Sequence, residues 1–356
     1  MINIKEELFQ IDPYSLKKND KENIFFDHIK KLNAHHIKYC KGYKKIMNFN
    51  SYKNMQFNRI SDYPFLPALI FKMHSLKSVK TDNSFKEIYS SGTSSNAKSK
   101  IYLDSLNSKN QIKVLNILFS KIIGKNRLPM IFAEQKPSEK EINSFNAKAA
   151  AIYGFSIFGN ERLFLLNKNN EINYSELETF LKKNSNSKFI IFGFTSSIYN
   201  NLINKINSKK INFSMENAIL IHGGGWKKLE NKKISNRLFK KKLESKFKIK
   251  KIINYYGTVE QTGSIFFECK CGFFHTSTFS DVIIRNKNLE VENIGKEGLV
   301  QLISLLPTSY PGHNILTEDL GTIYGEDDCE CGQKGKYFLI NGRAKQAELR
   351  GCSDVW

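Results

Sequence analysis

Apolar residues follow different patterns in three parts of the chain. Before residue 88 they recur at three- and four-residue spacings, which predicts helices at 23–40 and 43–52. After it, short apolar runs occur at 130–133, 188–192, 218–221 and 252–255. Longer amphipathic stretches separate these runs, at 106–123, 146–154, 196–207 and 235–246. This alternation predicts βαβ units and a mostly parallel sheet.

The last part of the chain has shorter segments that alternate between apolar and polar positions. They predict strands at 264–268, 282–285, 298–304, 321–324 and 337–340. We therefore divide the chain into a helical N-terminal region, an α/β core with the loop described below, and a β-rich region. The boundaries that we predict are 1–87, 88–262 and 263–356.

The composition is that of a folded protein with an excess of lysine. Hydrophobic residues make up 40% of the 356 and charged residues 25%, which argues against wholesale disorder. The net charge of +21 is spread along the chain, and its densest stretch, 227–251, has the spacing of an amphipathic helix. We therefore expect no nucleic-acid partner. No apolar run is long enough to span a bilayer and no secretory signal is evident, so we expect a cytoplasmic protein.

One loop combines hydroxyl groups with a glycine and a lysine. Its sequence from residue 89 to 98 is Tyr-Ser-Ser-Gly-Thr-Ser-Ser-Asn-Ala-Lys. Backbone N–H groups around Gly92, side-chain hydroxyls and the Lys98 ammonium can hold a polyphosphate. Composition alone fits a polar surface turn as well. The spacing of a Walker loop is missing.

Four of the six cysteines form two Cys-x-Cys-Gly pairs. Reduced thiolates in two tight turns suit a tetrahedral zinc ion, and we predict a structural Zn²⁺ site. The predicted ligands are Cys269, Cys271, Cys329 and Cys331. His275 is an alternative to Cys269 or Cys271, because the spacing within each pair is shorter than the common Cys-x-x-Cys.

The order of motifs resembles that of the adenylate-forming (AMP-binding) enzymes. The loop matches their phosphate-binding loop, with Ser95 and Ala97 in place of a glycine and a proline. Tyr-Tyr-Gly-Thr-Val-Glu at 255–260, Thr-Glu-Asp-Leu-Gly at 317–321 and Gly-Arg at 342–343 follow in the same order as in that superfamily. His-Gly-Gly-Gly-Trp at 222–226 takes the place of its strand-and-glycine segment beside the adenine.

This resemblance implies that ATP and Mg²⁺ are cofactors, and it implies a role for each matched residue. Tyr256 would lie near the adenine, Thr258 near the α-phosphate and Glu260 on Mg²⁺. Asp319 would bind the ribose hydroxyls, and Arg343 the ribose or a phosphate. The remaining implied nucleotide ligands are Ser90, Ser91, Gly92, Thr93, Ser94, Lys98, Gly223, Gly224, Gly225 and Gly257.

Further segments resemble the acyl-protein synthetases of bacterial bioluminescence operons, the LuxE-like family. They are Pro67 with Phe71-Lys72, Phe-Gly-Phe-Thr at 192–195, the glycines before Trp226 and Arg-Gly-Cys at 350–352. The resemblance implies an α/β fold, that of the large N-terminal domain of these enzymes, with parallel sheets and a β-rich subdomain. Since five residues follow Gly351, we expect the small C-terminal domain to be absent or vestigial.

The activity implied is ATP-dependent conversion of a carboxylic acid, with a fatty acid favoured, to an acyl-adenylate. The acyl group would pass to the thiol of Cys352, which a short tether holds at high effective concentration. An acyl reductase partner would then take it up. Lys98 and Glu260 complete the implied catalytic set.

Other functions compatible with the sequence are an acyl- or aryl-CoA ligase of the phenylacetate type, a zinc-knuckle nucleic-acid binder and a protein that only binds the nucleotide.

Overall fold

The computed structural model describes residues 3–49, 56–78, 85–90, 98–139, 147–207, 214–226 and 233–344. They form two compact units. Unit 1 contains the described residues of Met1–Phe119 and Tyr256–Glu348, and unit 2 those of Ser120–Tyr255. Within the described ranges, no helix is long and apolar enough to cross a membrane. The three regional boundaries given above stay a prediction.

Helices open unit 1. α1 (Lys18–Tyr39) and α2 (Lys41–Phe49) follow a 3-10 turn at Glu6–Phe9, and α3 (Ile70–Met73) follows another at Ile60–Asp62. α1 buries Phe25, Ile29 and Leu32, whose four- and three-residue spacing puts them on one face. The helix ends where Cys40 adopts an extended conformation. The two helices predicted before residue 88 are confirmed over their described residues.

An antiparallel sheet forms the centre of unit 1. Its strands are β10 (Phe274–His275), β11 (Ser280–Arg285), β12 (Glu297–Ser304), β13 (Asn314–Glu326) and β14 (Lys336–Arg343). Their order is β10-β14-β13-β12-β11, and β1 (Leu66–Pro67) pairs parallel to β13. The strand predicted at 321–324 is only part of β13, whose register against β14 shifts at two irregularities. The strand predicted at 264–268 is shorter than expected, because only β9 (Phe266–Phe267) is extended.

A two-stranded hairpin also belongs to unit 1. β2 (Phe85–Tyr89) pairs with β3 (Lys100–Asp104), and Tyr89 lies opposite Lys100. The sequence analysis did not predict this hairpin, because β2 mixes charged and aromatic residues and none of its side chains is fully buried. The residues that connect the two strands include most of the hydroxyl-rich loop.

Unit 2 contains the parallel sheet that the sequence predicts. Its strands are β4 (Leu128–Gln135), β5 (Gly159–Leu166), β6 (Phe189–Phe194), β7 (Ala218–Gly223) and β8 (Lys251–Tyr256), in the order β5-β4-β6-β7-β8. Every residue of β6 and β7 is buried, which is typical of parallel strands covered on both faces. The fold class predicted from the sequence is confirmed.

The connecting segments of unit 2 are mostly helical. They are α4 (Ser105–Ile123), which begins in unit 1, α5 (Ala147–Ser156), α6 (Tyr174–Lys183), α7 (Thr195–Ser197) with the π-helix Ile198–Asn204, and α8 (Asn236–Phe247). Side-chain caps start two of them, since Asn173 accepts a hydrogen bond from the N–H of Glu176, and Ser235 from that of Leu238. The sequence analysis did not identify β5 or α6.

Candidate active site and cysteine cluster

Three of the predicted nucleotide ligands lie together in unit 1. Asp319 and Arg343 are opposite each other in the ladder of β13 and β14, and Arg343 Nε donates a hydrogen bond to Asp319 Oδ1 over 3.1 Å. Tyr256, the last residue of β8, donates its hydroxyl to Asp319 Oδ2 over 2.7 Å. Both carboxylate oxygens of Asp319 therefore have a partner that fixes their direction.

The environment of this group favours a neutral Tyr256. Burial, and next the negative charge of Asp319, raise the pKa of Tyr256 well above its usual range. A buried phenol that keeps its proton acts as a donor to the carboxylate. The Asp319 side chain remains 15% exposed and the Arg343 side chain 34%. Contacts within unit 1 thus fix these side chains, and Asp319 and Arg343 remain partly accessible to solvent.

The turn that follows Tyr256 carries Thr258 and Glu260. A side chain at Gly257 would place its Cβ 2.8 Å from the carbonyl oxygen of Ser264, so the turn closes tightly at this residue. Thr258 Oγ1 is buried and has no hydrogen-bond partner among the described residues. Glu260 is half-buried. An unpartnered buried hydroxyl near a half-buried carboxylate is typical of a site whose ligand supplies the missing bond.

Polar side chains that the sequence analysis overlooked hold this turn in place. Gln261 Nε2 donates to the carbonyl oxygens of Leu302 and Gly312 over 3.0 and 2.7 Å. Thr262 Oγ1 donates to Asn107 Oδ1 over 3.0 Å. The one signal in the sequence is position, because Gln261 and Thr262 come directly after the Tyr-Gly-Thr-Val-Glu motif.

The phosphate loop is described only at its two ends. Ser90 and Ser99 exchange two hydrogen bonds, from Ser90 N to the Ser99 carbonyl over 2.9 Å and from Ser99 N to Ser90 Oγ over 2.8 Å. Ser90 Oγ thus accepts a bond that closes the base of the loop, and its hydroxyl hydrogen remains a donor. Lys98 is exposed. Ser91, Gly92, Thr93 and Ser94 lie outside the described residues, as does Cys352.

Gly223, Gly224 and Gly225 belong to unit 2, where they end β7. A Cβ on Gly223 would overlap the ring of Tyr255, so only glycine allows this ring to lie across the strand. Gly224 has a φ of +72°, a backbone conformation that favours glycine. The Thr195 hydroxyl lies 3.2 Å from the Gly223 carbonyl oxygen, to which it can donate a hydrogen bond. These glycines therefore fix the shape of the strand end.

A cluster of aromatic rings packs beside this strand end in unit 2. The ring of Tyr255 is stacked with that of Phe192, with centroids 6.1 Å apart, and tilted against that of Phe155 at 5.2 Å. Burial, and next the charge of Lys240, lower the pKa of His222 to about 3. His222 is therefore neutral at physiological pH and acts here as a buried polar residue.

The paired cysteines and His275 form a cluster in unit 1. One ligand atom from each of Cys269, His275, Cys329 and Cys331 lies within 4.8 Å of the other three. His275 Nε2 is 3.3 Å from Cys331 Sγ. Gly272 and Gly332, at φ values of +87° and +88°, allow the tight turn in each pair. Cys271 is close by but not part of this group of four.

The thiols in the cluster differ in their electrostatic environment. Partial burial by itself would raise the pKa of Cys269, but hydrogen bonding with His275 and with backbone groups lowers it to about 6. Partial burial is also the main cause that raises the pKa of Cys329, to about 11. A cation would stabilise the thiolate form of every cysteine that binds it.

The fold is that of adenylate-forming enzymes. It resembles the structure of 2-hydroxyisobutyryl-CoA ligase in an open conformation with 2-HIB-AMP and CoA, with a TM-score of 0.73 and 12% identity, over 92% of this chain and 71% of that one. The same ligase in the postadenylation state with R3-HIB-AMP matches with a TM-score of 0.71 and 12% identity, over 93% and 69%. No curated protein matches the sequence.

A family model identifies the family directly. The model described as "Acyl-protein synthetase, LuxE" matches residues 1–356. The chain therefore belongs to the LuxE acyl-protein synthetase family of the adenylate-forming superfamily, and it is a ligase that forms acyl-adenylates from ATP. The resemblance stated from the sequence motifs is confirmed.

Proposed function

We propose that this protein activates a fatty acid with ATP and transfers the acyl group to the thiol of its own Cys352, from which an acyl reductase partner removes it. The observation that carries the nucleotide part is the group of Asp319, Tyr256 and Arg343. Tyr256 and Arg343 are 87 residues apart in the sequence, and both donate a hydrogen bond to the carboxylate of Asp319. Membership of the LuxE family supports the acyl-transfer part.

Asp319 is the ribose ligand in this proposal. Each of its oxygens accepts one hydrogen bond from Tyr256 or Arg343 and has further lone-pair capacity for a ribose hydroxyl. Because the two donors already fix the carboxylate, little side-chain entropy is lost when the nucleotide binds. Lys98 and the hydroxyls of Ser90, Ser91, Thr93 and Ser94, with the backbone at Gly92, would bind the phosphates.

Glu260 is suited to hold Mg²⁺, and Thr258 to donate a hydrogen bond to the α-phosphate. Mg²⁺ prefers carboxylate and other oxygen ligands, and a half-buried carboxylate and an unpartnered buried hydroxyl lie on the same turn. When bound, the ion would offset the negative charge of the phosphates.

The first half of the reaction is an in-line displacement. A carboxylate oxygen of the acid forms a bond to the α-phosphorus of ATP, while the bond from that phosphorus to the pyrophosphate oxygen breaks. Lys98, Arg343 and the loop N–H groups would stabilise the charge that develops on the phosphoryl oxygens. The product is a mixed anhydride of the acid and AMP.

The second half transfers the acyl group. The thiolate of Cys352 attacks the acyl carbonyl, a thioester forms, and AMP leaves with the electron pair of the broken carbon–oxygen bond. Phe192 to Thr195 and the strand end at Gly223 would border the acyl chain, since these buried residues are mainly aromatic and apolar. A reductase would then release the acyl group as an aldehyde.

A structural Zn²⁺ in the cysteine cluster completes the proposal. Thiolate and imidazole ligands in a closed tetrahedral shell leave no open position for a substrate. The ion would join the segment after β9 to the turn between β13 and β14, and so stabilise the strand that contains Asp319.

The acyl acceptor can be tested by loading the full-length protein with labelled tetradecanoic acid and MgATP. We expect a protein-bound label that hydroxylamine releases, and we expect Cys352→Ser to lose this label while it still forms the acyl-adenylate. Cys40→Ser serves as the control, because Cys40 is buried in unit 1. Label that persists in Cys352→Ser would remove Cys352 as the acceptor. Product that appears only with added CoA would favour the CoA-ligase alternative.

A further inference from the structure

We propose that one zinc ion is held by Cys269, His275, Cys329 and Cys331, and that Cys271 stays outside its coordination shell. This refines the zinc component of the proposed function. It also replaces the four-cysteine set, which the repeated Cys-x-Cys-Gly pattern favours, by three thiolates and one imidazole. The four ligand atoms already lie within 4.8 Å of one another.

The distances fit a tetrahedral ion. Four ligands at bond lengths of about 2.0–2.3 Å lie about 3.5–3.7 Å apart. The contact of 3.3 Å between His275 Nε2 and Cys331 Sγ is already close to this value. The longest separation in the group needs a movement of about 1 Å, which side-chain rotation in the two glycine turns can supply.

The two turns have the same sequence pattern but use their sulfur atoms differently. In both, the glycine N–H donates to the carbonyl of the first cysteine, over 3.0 Å from Gly272 and 2.9 Å from Gly332. In both turns the N–H of the second cysteine hydrogen-bonds with the first sulfur, from Cys271 to Cys269 and from Cys331 to Cys329. The residue after the glycine differs, since Phe273 bonds with the first sulfur, that of Cys269, and Gln333 with the second, that of Cys331. Backbone hydrogen bonds therefore orient the sulfur atoms of Cys269, Cys329 and Cys331.

His275 is better placed than Cys271 to complete the shell. It lies on β10, opposite Tyr337 of β14, and its ring stacks on that of Tyr337 with centroids 5.7 Å apart. The strand pairing and the stacking fix the imidazole, which is fully buried, whereas Cys271 is partly exposed at the turn. One imidazole nitrogen with three thiols is a common set of zinc ligands.

Charge also favours this set of ligands. Zn²⁺ with three thiolates and one imidazole has a net charge of about −1, and with four thiolates about −2. The site with the smaller net charge costs less to place in a largely buried cluster. Cys271 can then stay a protonated thiol at the surface of the site.

The ligand set can be read from X-ray absorption of the full-length protein purified with zinc. We expect about one zinc per chain, with three sulfur neighbours at about 2.3 Å and one nitrogen at about 2.0 Å. Four sulfur neighbours, or a chain that binds no zinc, would overturn the proposal. This measurement needs no substitution, so a variant that fails to fold cannot obscure it.

Two matched variants test the role of Cys271. Cys271→Ser should keep one zinc and the wild-type absorption spectrum, whereas Cys331→Ser should bind zinc at least about 100-fold more weakly in a competition with a chelator. Zinc loss from Cys271→Ser equal to that from Cys331→Ser would contradict the assignment. Pyrophosphate exchange is measured separately on the zinc-loaded protein. Loss of exchange with zinc retained would count against the proposed function and not against this site.

Discussion

The sheets of units 1 and 2 are both well buried, but they carry different side chains. In unit 2, β6 and β7 are buried at every residue and consist mainly of isoleucine, leucine and phenylalanine. In unit 1, the ladder of β13 and β14 places Asp319 and Arg343 opposite each other, and β10 holds His275. Parallel strands covered on both faces leave little room for polar side chains within the sheet.

Because of this difference, substitutions in the two sheets should affect different properties of the protein. Changes within the strands of unit 2 should lower the free energy of unfolding, because these strands contribute through packing. Changes at the polar positions of β13 and β14 should lower activity while the protein stays folded. At the end of β7, Gly223 and Gly224 determine the local backbone conformation of unit 2.

The largest effect is expected for Leu220→Ala in β7. Leu220 is fully buried in the core of unit 2, so its truncation should lower the free energy of unfolding by about 2–5 kcal/mol. Urea denaturation followed by circular dichroism measures this. Leu289→Ala is the control, since Leu289 is 45% exposed, and it should change stability by less than about 0.5 kcal/mol. Equal losses in both variants would contradict the packing account.

Asp319→Asn should chiefly reduce activity. The amide keeps the shape of the side chain but loses the charge that Tyr256 and Arg343 orient. We expect pyrophosphate exchange to fall about 100-fold, which corresponds to about 2.7 kcal/mol, with little change in the urea midpoint. Glu318→Gln, the adjacent carboxylate on β13, is the control and should retain most of the exchange. A folded Asp319→Asn variant with wild-type exchange would exclude Asp319 as a ligand.

Gly223→Ala should destabilise unit 2 by about 1–3 kcal/mol, because its new methyl group overlaps the Tyr255 ring. Gly225→Ala is a matched control two residues away, where a Cβ would meet no atom within 4 Å among the described residues. Thermal unfolding of both variants compares the two positions. Similar melting temperatures would show that Tyr255 can move aside without cost.

Tyr256→Phe should have the smallest effect of the four. It removes one hydrogen bond to the Asp319 carboxylate and keeps the ring, so we expect about a tenfold loss of pyrophosphate exchange, or about 1.4 kcal/mol. The loss should appear mainly as a higher KM for ATP. Tyr324→Phe, at an exposed tyrosine of β13, is the control. A pure loss of kcat would place Tyr256 in the chemical step instead.

The sequence predicted the packing of unit 2 better than the geometry of the site in unit 1. Continuous apolar runs identify β6 and β7, since burial on both faces requires such runs. The hydrogen bond between Tyr256 and Asp319 depends on the tertiary structure of unit 1, which no local pattern encodes. The motifs that resemble those of adenylate-forming enzymes indicate a nucleotide-binding role for both residues, but they do not predict the hydrogen bond between them.

The composition of the cysteine cluster also depends on tertiary structure that the sequence pattern does not reveal. Two identical Cys-x-Cys-Gly pairs predict a symmetric set of four thiols. The structure breaks this symmetry, because the pairing of β10 with β14 brings His275 into the group. Sequence spacing identified all five candidate residues and favoured the four cysteines, with His275 as an alternative, because strand register, which decides the side chains that converge, cannot be read from spacing.

The most direct test of the central claim is ATP–pyrophosphate exchange by the full-length protein with a panel of carboxylic acids of increasing chain length. The account predicts exchange that requires Mg²⁺ and a carboxylic acid, favours fatty acids, proceeds without CoA, and falls about 100-fold in Asp319→Asn. A folded, zinc-loaded protein that binds ATP but exchanges no pyrophosphate with any acid in the panel would contradict it.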